Sequence, residues 1–166
     1  MRSLGFYLYN KITGILPETR LFSFKRFWLR NFCFCQIGKN VRICSSVKIQ
    51  VQGKLEIGDN TWIGEFTKIT GGKANIIIGS NVDIGPEVLI VSGTHSLWTI
   101  EGKAAGEGYS REINIEDGVW IGARAVILGG ARIGYCAIIG ATSLVKGVVD
   151  SNTLFAGIPA KLVKRK

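Results

Sequence analysis

The stretch "IGDNTWIGEFTKITGGKANIIIGSNVDIGPEVLI", residues 57–90, decides the fold. A branched aliphatic stands at positions 57, 63, 69, 78, 84 and 90, six residues apart within each group of three. Glycine, or a small or acidic residue, usually follows it, and a small or β-branched residue comes four places on. The pattern extends back through leading positions 37, 43 and 49. After an interruption it resumes at 115, 121, 127, 133, 139 and 145. A self-similar period of this kind signals a repeat architecture and takes precedence over local assignment.

A six-residue step fits neither the 3.6-residue helix period nor a long strand alternation. It fits a coil with three flat sides, each a short strand and a turn, with the aliphatic pointing inward and the small residue filling a corner. Glycine after the aliphatic is expected to supply positive φ for the turn. Stacked coils pair their backbones about 4.8 Å apart, so about five coils give an all-β solenoid roughly 24 Å tall. A β-sandwich would need turn signals every 8 to 12 residues or so, which this stretch does not show.

The chain has 166 residues, 46% hydrophobic, enough for one continuous core. Its net charge of +9 is concentrated at the start. Residues 1–36 hold Arg2, Lys11, Arg20, Lys25, Arg26 and Arg30 against Glu18 alone, together with nine of the sixteen aromatics. This segment reads as one or two amphipathic helices broken near "LPET". Two readings stay open for it: a cap on the open end of the solenoid, or attachment to an anionic membrane surface. The division expected is 1–36 helical segment, 37–154 solenoid and 155–166 basic tail, the last covering the far end.

No apolar run approaches the roughly 18 residues of a membrane-spanning helix, and the start lacks a secretory cleavage pattern. The expected location is the cytoplasm, at the inner face of the membrane if the first segment attaches there. The basic residues are scattered or confined to the ends and form no nucleic-acid-binding module, so no nucleic-acid partner is expected. Cys33, Cys35, Cys44 and Cys136 match neither zinc nor redox spacing, and a single histidine completes no metal site. They read as reduced packing residues, with no metal.

That single histidine, His95, stands at the start of the one long excursion, residues 96–114. A neutral imidazole, pKa about 6.5, suits a general base at cell pH. The alternative is a polar side chain at a surface turn. No serine, threonine or cysteine has the setting of a covalent nucleophile.

His95, "GEGYS" at 106–110, "VWIG" at 119–122 and "AGIPAKLV" at 156–163 occur in the order seen in the hexapeptide-repeat acyltransferases. The chain resembles their galactoside and maltose acetyltransferase branch, which includes polysaccharide O-acetyltransferases. The resemblance implies a left-handed parallel β-helix. It also implies direct transfer of acetyl from acetyl-CoA to a sugar hydroxyl, in surface polysaccharide synthesis, with His95 as base. It places Trp120, Ala123 and Ala141 along the pantetheine arm, and Lys146, Lys161 and Lys164 near the cofactor phosphates. "SLVKGV" departs from the family phrase by setting Lys146 one position early. Glu65, Glu107 and Tyr109 match positions that contact the acceptor, a sugar or glycan that a lipid can carry. The resemblance further implies a homotrimer with its site between subunits. N-acetylation of a nucleotide-linked amino sugar is the enzymatic alternative, and a non-catalytic scaffold the structural one.

Overall fold

A computed structural model describes residues 2–166. The chain winds as a left-handed parallel β-helix with two helices at its start. Strands stack in three faces. The first face runs Gln36–Ile37, Leu55–Ile57, Ile76–Ile78, Ile113–Ile115, Arg132–Ile133 and Val148–Val149. The second runs Arg42–Ile43, Trp62–Ile63, Asp83–Ile84, Trp120–Ile121, Ile138–Ile139 and Thr153–Ala156, and the third Lys48–Val51, Lys68–Gly71, Leu89–Val91, Val126–Leu128 and Leu144–Val145.

The register places the aliphatics of the hexads directly over one another. Ile43, Ile63, Ile84, Ile121 and Ile139 form one buried column, and Ile49, Ile69, Ile90, Ile127 and Val145 another. Each contributes on the order of 2 kcal/mol of apolar burial. The small residue four places on fills the corners. Thr61 and Thr67 satisfy their buried hydroxyls by donating to Gly79 O and Gly85 O.

The positive φ falls on the fourth residue of the hexad, not on the glycine. Asn40, Asn60, Asn81, Phe66, Glu87, Arg124 and Thr142 all have φ between 54° and 60°. Asparagine accepts that left-handed geometry most readily. The glycines are needed for closeness instead: a Cβ on Gly85 would stand 2.8 Å from Ala123 N on the next coil.

The winding makes five complete coils and a partial sixth, one part-coil beyond the expected five. Val149 takes the inward position there, Asn152 turns the corner at φ 57°, and the tail strand Lys161–Arg165 folds back antiparallel on Thr153–Ala156. Lacking the isoleucine-glycine phrase, this part-coil is hidden from the repeat. The excursion also starts earlier than the expected 96–114. A hairpin, Gly93–Ile100 against Lys103–Ser110, leaves the third face after Val91, and the chain rejoins the first face at Ile113.

Helix α1 (Arg2–Thr13) and helix α2 (Phe22–Asn31) lie across the open end of the first coil. Phe6, Tyr9 and Leu29 are fully or almost fully buried against it. A parallel β-helix ends on a ring of backbone carbonyls with no next coil to bond, and here side chains of the cap supply the donors. Asn10 donates to Ile49 O, Lys25 to Ile43 O, Arg26 to Val41 O, Arg30 to Ile37 O and Arg2 to Gln52 O. The basic character of the first segment thus has a structural cause. Burial lowers the Lys25 pKa, with Cys44 and Glu18 opposing. Cys33, Cys35 and Cys44 are buried free thiols, while Cys136 is half-buried. Burial pushes Cys33 up to about 12 and Cys35 and Cys44 up to about 11.

Candidate functional site

His95 lies within the outgoing strand of the hairpin. Ser92, at the end of the third face, donates its N–H to Thr70 O and accepts from Arg111 N, closing the hairpin root. Ser110 Oγ accepts from Ala74 N, fastening the returning strand to the coil beneath. The rigid prism therefore holds the base through both strands.

The imidazole Nδ1 is 3.0 Å from Gly106 O. A carbonyl only accepts, so Nδ1 carries the proton and the lone pair resides on Nε2. The assignment rests on the acceptor's chemistry. An exposed imidazole held in this tautomer can remove a proton from a bound hydroxyl.

His95 opens into a groove of about 550 Å³, lined also by Gln52, Lys73, Thr94, Tyr109 and Ser110. Glycines form part of its wall: a Cβ on Gly108 would stand 3.4 Å from His95 Cε1. Arg111 packs over the Tyr109 ring at 5.5 Å. A larger groove of about 630 Å³ lies at the capped end between Phe22, Arg26 and Arg42, without a candidate base.

Of the residues expected to meet the acceptor, Tyr109 lines the His95 groove, Glu107 adjoins it, and Glu65 is elsewhere. Glu65 follows the second-face strand Trp62–Ile63, whereas His95 leaves the end of the third face. Strand rise across that face puts roughly 15 Å between these two edges. Glu65 instead lies beside Glu18 and Cys44, their ligand-type atoms within 4.8 Å of one another.

Trp120 projects from the second face, 56% exposed. Ala123 and Ala141 stack on its edge with the third face, where Thr142 N donates to Ala123 O at 2.8 Å. Lys161 and Lys164 pair with Ala156 and Leu154 at the end of the second face. These five residues share one region. Lys146 follows Val145 at the opposite edge of the third face, the edge that also carries the hairpin. A single prism thus separates the base from five of the six residues expected to hold the cofactor, Lys146 being the exception.

Gln52, Lys73, Thr94 and Ser110 escaped the reading of the sequence. The available signal was positional: "VQGK" and "TGGK" are the short insertions at the corner where the long excursion leaves. The ion pair of Arg124 Nε with Glu87 Oε2 at 2.8 Å, beside Ala123, had no signal in the repeat. It lowers the Glu87 pKa, chiefly through the hydrogen bond from Arg124.

No protein-family model matches the chain. It is 30% identical over 159 residues to the galactoside O-acetyltransferase of Lactococcus lactis subsp. lactis strain IL1403, covering 95% of this chain and 72% of that protein. The hexapeptide-repeat-containing acetyltransferase VCA0836 of Vibrio cholerae O1 biovar eltor, solved with acetyl coenzyme A, superposes with a TM-score of 0.81. It is 25% identical, over 98% of this chain and 86% of that one. The polySia-specific acetyltransferase NeuO superposes with a TM-score of 0.67 at 28% identity, over 78% of this chain and 60% of that one. The chain spans 44%, 72% and 64% of the lengths of three curated relatives it matches.

Proposed function

Because the chain belongs to the hexapeptide-repeat acetyltransferases, in the branch that holds the galactoside O-acetyltransferases, we propose that it is an acetyl-CoA-dependent O-acetyltransferase of a sugar hydroxyl. The observation that carries this reading is the His95 Nδ1 to Gly106 O contact, which leaves Nε2 as the unprotonated nitrogen of a side chain lining the groove. Nε2 takes the hydroxyl proton as the oxygen attacks the thioester carbon. The imidazolium then returns the proton to the sulfur as the carbon–sulfur bond breaks. Acetyl-CoA supplies the activated acetyl group, and no metal is required.

The second-face residues fit the donor. Trp120 offers an exposed apolar surface for the pantetheine arm, Ala123 and Ala141 leave the adjoining edge unobstructed, and Lys161 and Lys164 supply cations for the phosphates. Lys146 sits on the hairpin edge and would serve the donor from there. Tyr109 and Glu107 would contact the sugar.

Separation of the base from the donor residues supports a homotrimer in which neighbouring prisms complete each site. So does the hairpin tip, where Leu97 and Trp98 are 65% and 77% exposed. In that arrangement Glu65 would act on an acceptor bound to a neighbouring subunit. The acceptor class proposed is a cell-surface glycan under construction, in line with the polysaccharide specificity in the name of NeuO. Among the described residues no helix is long and apolar enough to cross a membrane. We place the enzyme in the cytoplasm, acting at the inner face on a glycan carried by lipid.

Incubating the purified protein with labelled acetyl-CoA and matched hydroxyl-only and amino-sugar acceptors tests the reading. Ester formation on the hydroxyl acceptor is expected. Label appearing only as amide would move the assignment to N-acetylation of an amino sugar.

A further inference from the structure

The inward faces of α1 and α2 are used by the cap, but their outward faces are unpartnered. On α1, Leu4, Tyr7 and Leu8 are 60%, 56% and 38% exposed, on the side opposite buried Phe6 and Tyr9. On α2, Phe24 and Phe27 lie opposite buried Lys25 and Leu29. The two faces join through Trp28, whose Nε1 donates to Gly5 O and whose ring is 4.8 Å from Phe32. Phe32 in turn meets Phe27 edge-on at 6.2 Å. The result is one aromatic surface across the end of the prism.

The cap segment carries net positive charge, six Lys and Arg against Glu18. The ion pairs among the described residues are Lys54–Glu56, Arg124–Glu87 and Arg165–Asp150, none involving a cap cation. Glu18, the one acidic residue of the first 36, has its carboxylate engaged by Ser46 N and Oγ, and Glu65 lies beside it. An aromatic surface on a segment that also exposes Lys11, Arg20 and Arg30 fits an anionic lipid headgroup layer and would repel a second copy of itself.

The groove adds a reason for this end to face the membrane. Its lining starts at Gln52 on the first coil, whose carbonyl accepts from Arg2 of the cap, and passes Lys73 on the second coil to His95 on the third. Two coil spacings make that climb roughly 10 Å. We propose that the outward face of α1 and α2 docks on an anionic bilayer with the prism axis upright, delivering a lipid-borne acceptor along this groove. Docking needs no catalysis, while delivery of the acceptor rests on the acetyl transfer proposed above. Side-by-side packing of prisms leaves the capped end open, so the surface is compatible with a trimer.

The test is co-sedimentation of the full chain with vesicles of phosphatidylcholine alone or of equal parts phosphatidylcholine and phosphatidylglycerol. The wild type is expected to pellet with the anionic vesicles only. A Tyr7→Ser, Phe27→Ser double variant should lose at least about tenfold in partitioning while keeping its melting temperature, since both side chains are exposed. Wild-type protein left in the supernatant, or a variant that pellets equally, would overturn the proposal. So would lipid-free self-association that the double variant abolishes, because the partner would then be a second copy. The binding arm contains neither acetyl-CoA nor acceptor, so its outcome stands apart from activity. A protein that pellets but acetylates nothing defeats the functional reading alone, and one that acetylates a soluble sugar without pelleting defeats the docking alone.

Discussion

The side chain of His95 reaches diagonally across the hairpin to Gly106 O, two residues before its backbone partner Gly108. The register shift just after His95 makes that reach available. His95→Ala is expected to lower turnover at least about a hundredfold, the low end for loss of a general base. The melting temperature should not change, because the imidazole is exposed. Near-normal turnover would assign the proton to another group.

Gly106 itself tests the orientation. A Cβ there would collide with Thr99 Oγ1 and stand 2.8 Å from Ser96 Oγ, forcing the strand and its carbonyl to shift. Gly106→Ala should lower kcat by about ten- to a hundredfold with the KM for acetyl-CoA unchanged. Adding Thr99→Ala in the same chain should restore part of the loss. A change confined to KM would mean that the contact does not orient the base.

The proposed division of the site between subunits has its own signature. His95→Ala and Trp120→Ala chains, each weakly active alone, should regain activity when unfolded together and refolded as mixed oligomers. In some mixed assemblies the intact histidine then faces an intact tryptophan edge. No gain over the separate variants would place both groups in one subunit's site.

The hexad glycines separate closeness from conformation. Gly85→Ala should destabilise the fold by about 1 to 3 kcal/mol, because its Cβ would press on backbone of the next coil. Gly147→Ala meets nothing within 4 Å and should be neutral or stabilising by up to about 1 kcal/mol. Urea midpoints for the two variants measure the contrast directly.

Alkaline stability follows from the buried thiols. Cys33, Cys35 and Cys44 titrate at about 11 to 12 in the folded chain against an ordinary 9.0. The folded state therefore holds more protons above pH 9, and their contribution, complete below pH 9, is lost as pH rises toward 12. Lys25 acts oppositely just below 10.5, where its lowered pKa lets the unfolded chain bind more protons. Urea midpoints should fall as pH rises from 9 to 11, with a shallower fall in a Cys33→Ala, Cys44→Ala variant. At neutral pH a thiol reagent should modify Cys136 in the native protein and spare the other three.

The coils were legible because their cause is local: a six-residue step of inward isoleucines defines each face wherever the phrase is intact. The same rule reached the wrong reason for the glycines. Periodicity locates a small residue without saying whether it serves a dihedral or a neighbour. It also stopped short of the sixth part-coil, where Val149 and Phe155 carry the stack without the usual glycine.

The site was legible as a histidine beside an excursion, and no further. The Gly106 carbonyl, the Gln52 and Lys73 floor, and the removal of Glu65 to another edge depend on how coils of unequal length stack. That information appears only when residues distant in sequence meet.

The amino-acid order alone established a three-sided spool, its single imidazole and its family resemblance, since each is written in spacing along the chain. Tertiary structure decided the proton-bearing nitrogen, the duty of the basic cap as donors to the first coil's open ring of carbonyls, and the distance between base and donor edge. Those are relations between coils, set by stacking register and insertion length, and no local pattern encodes them.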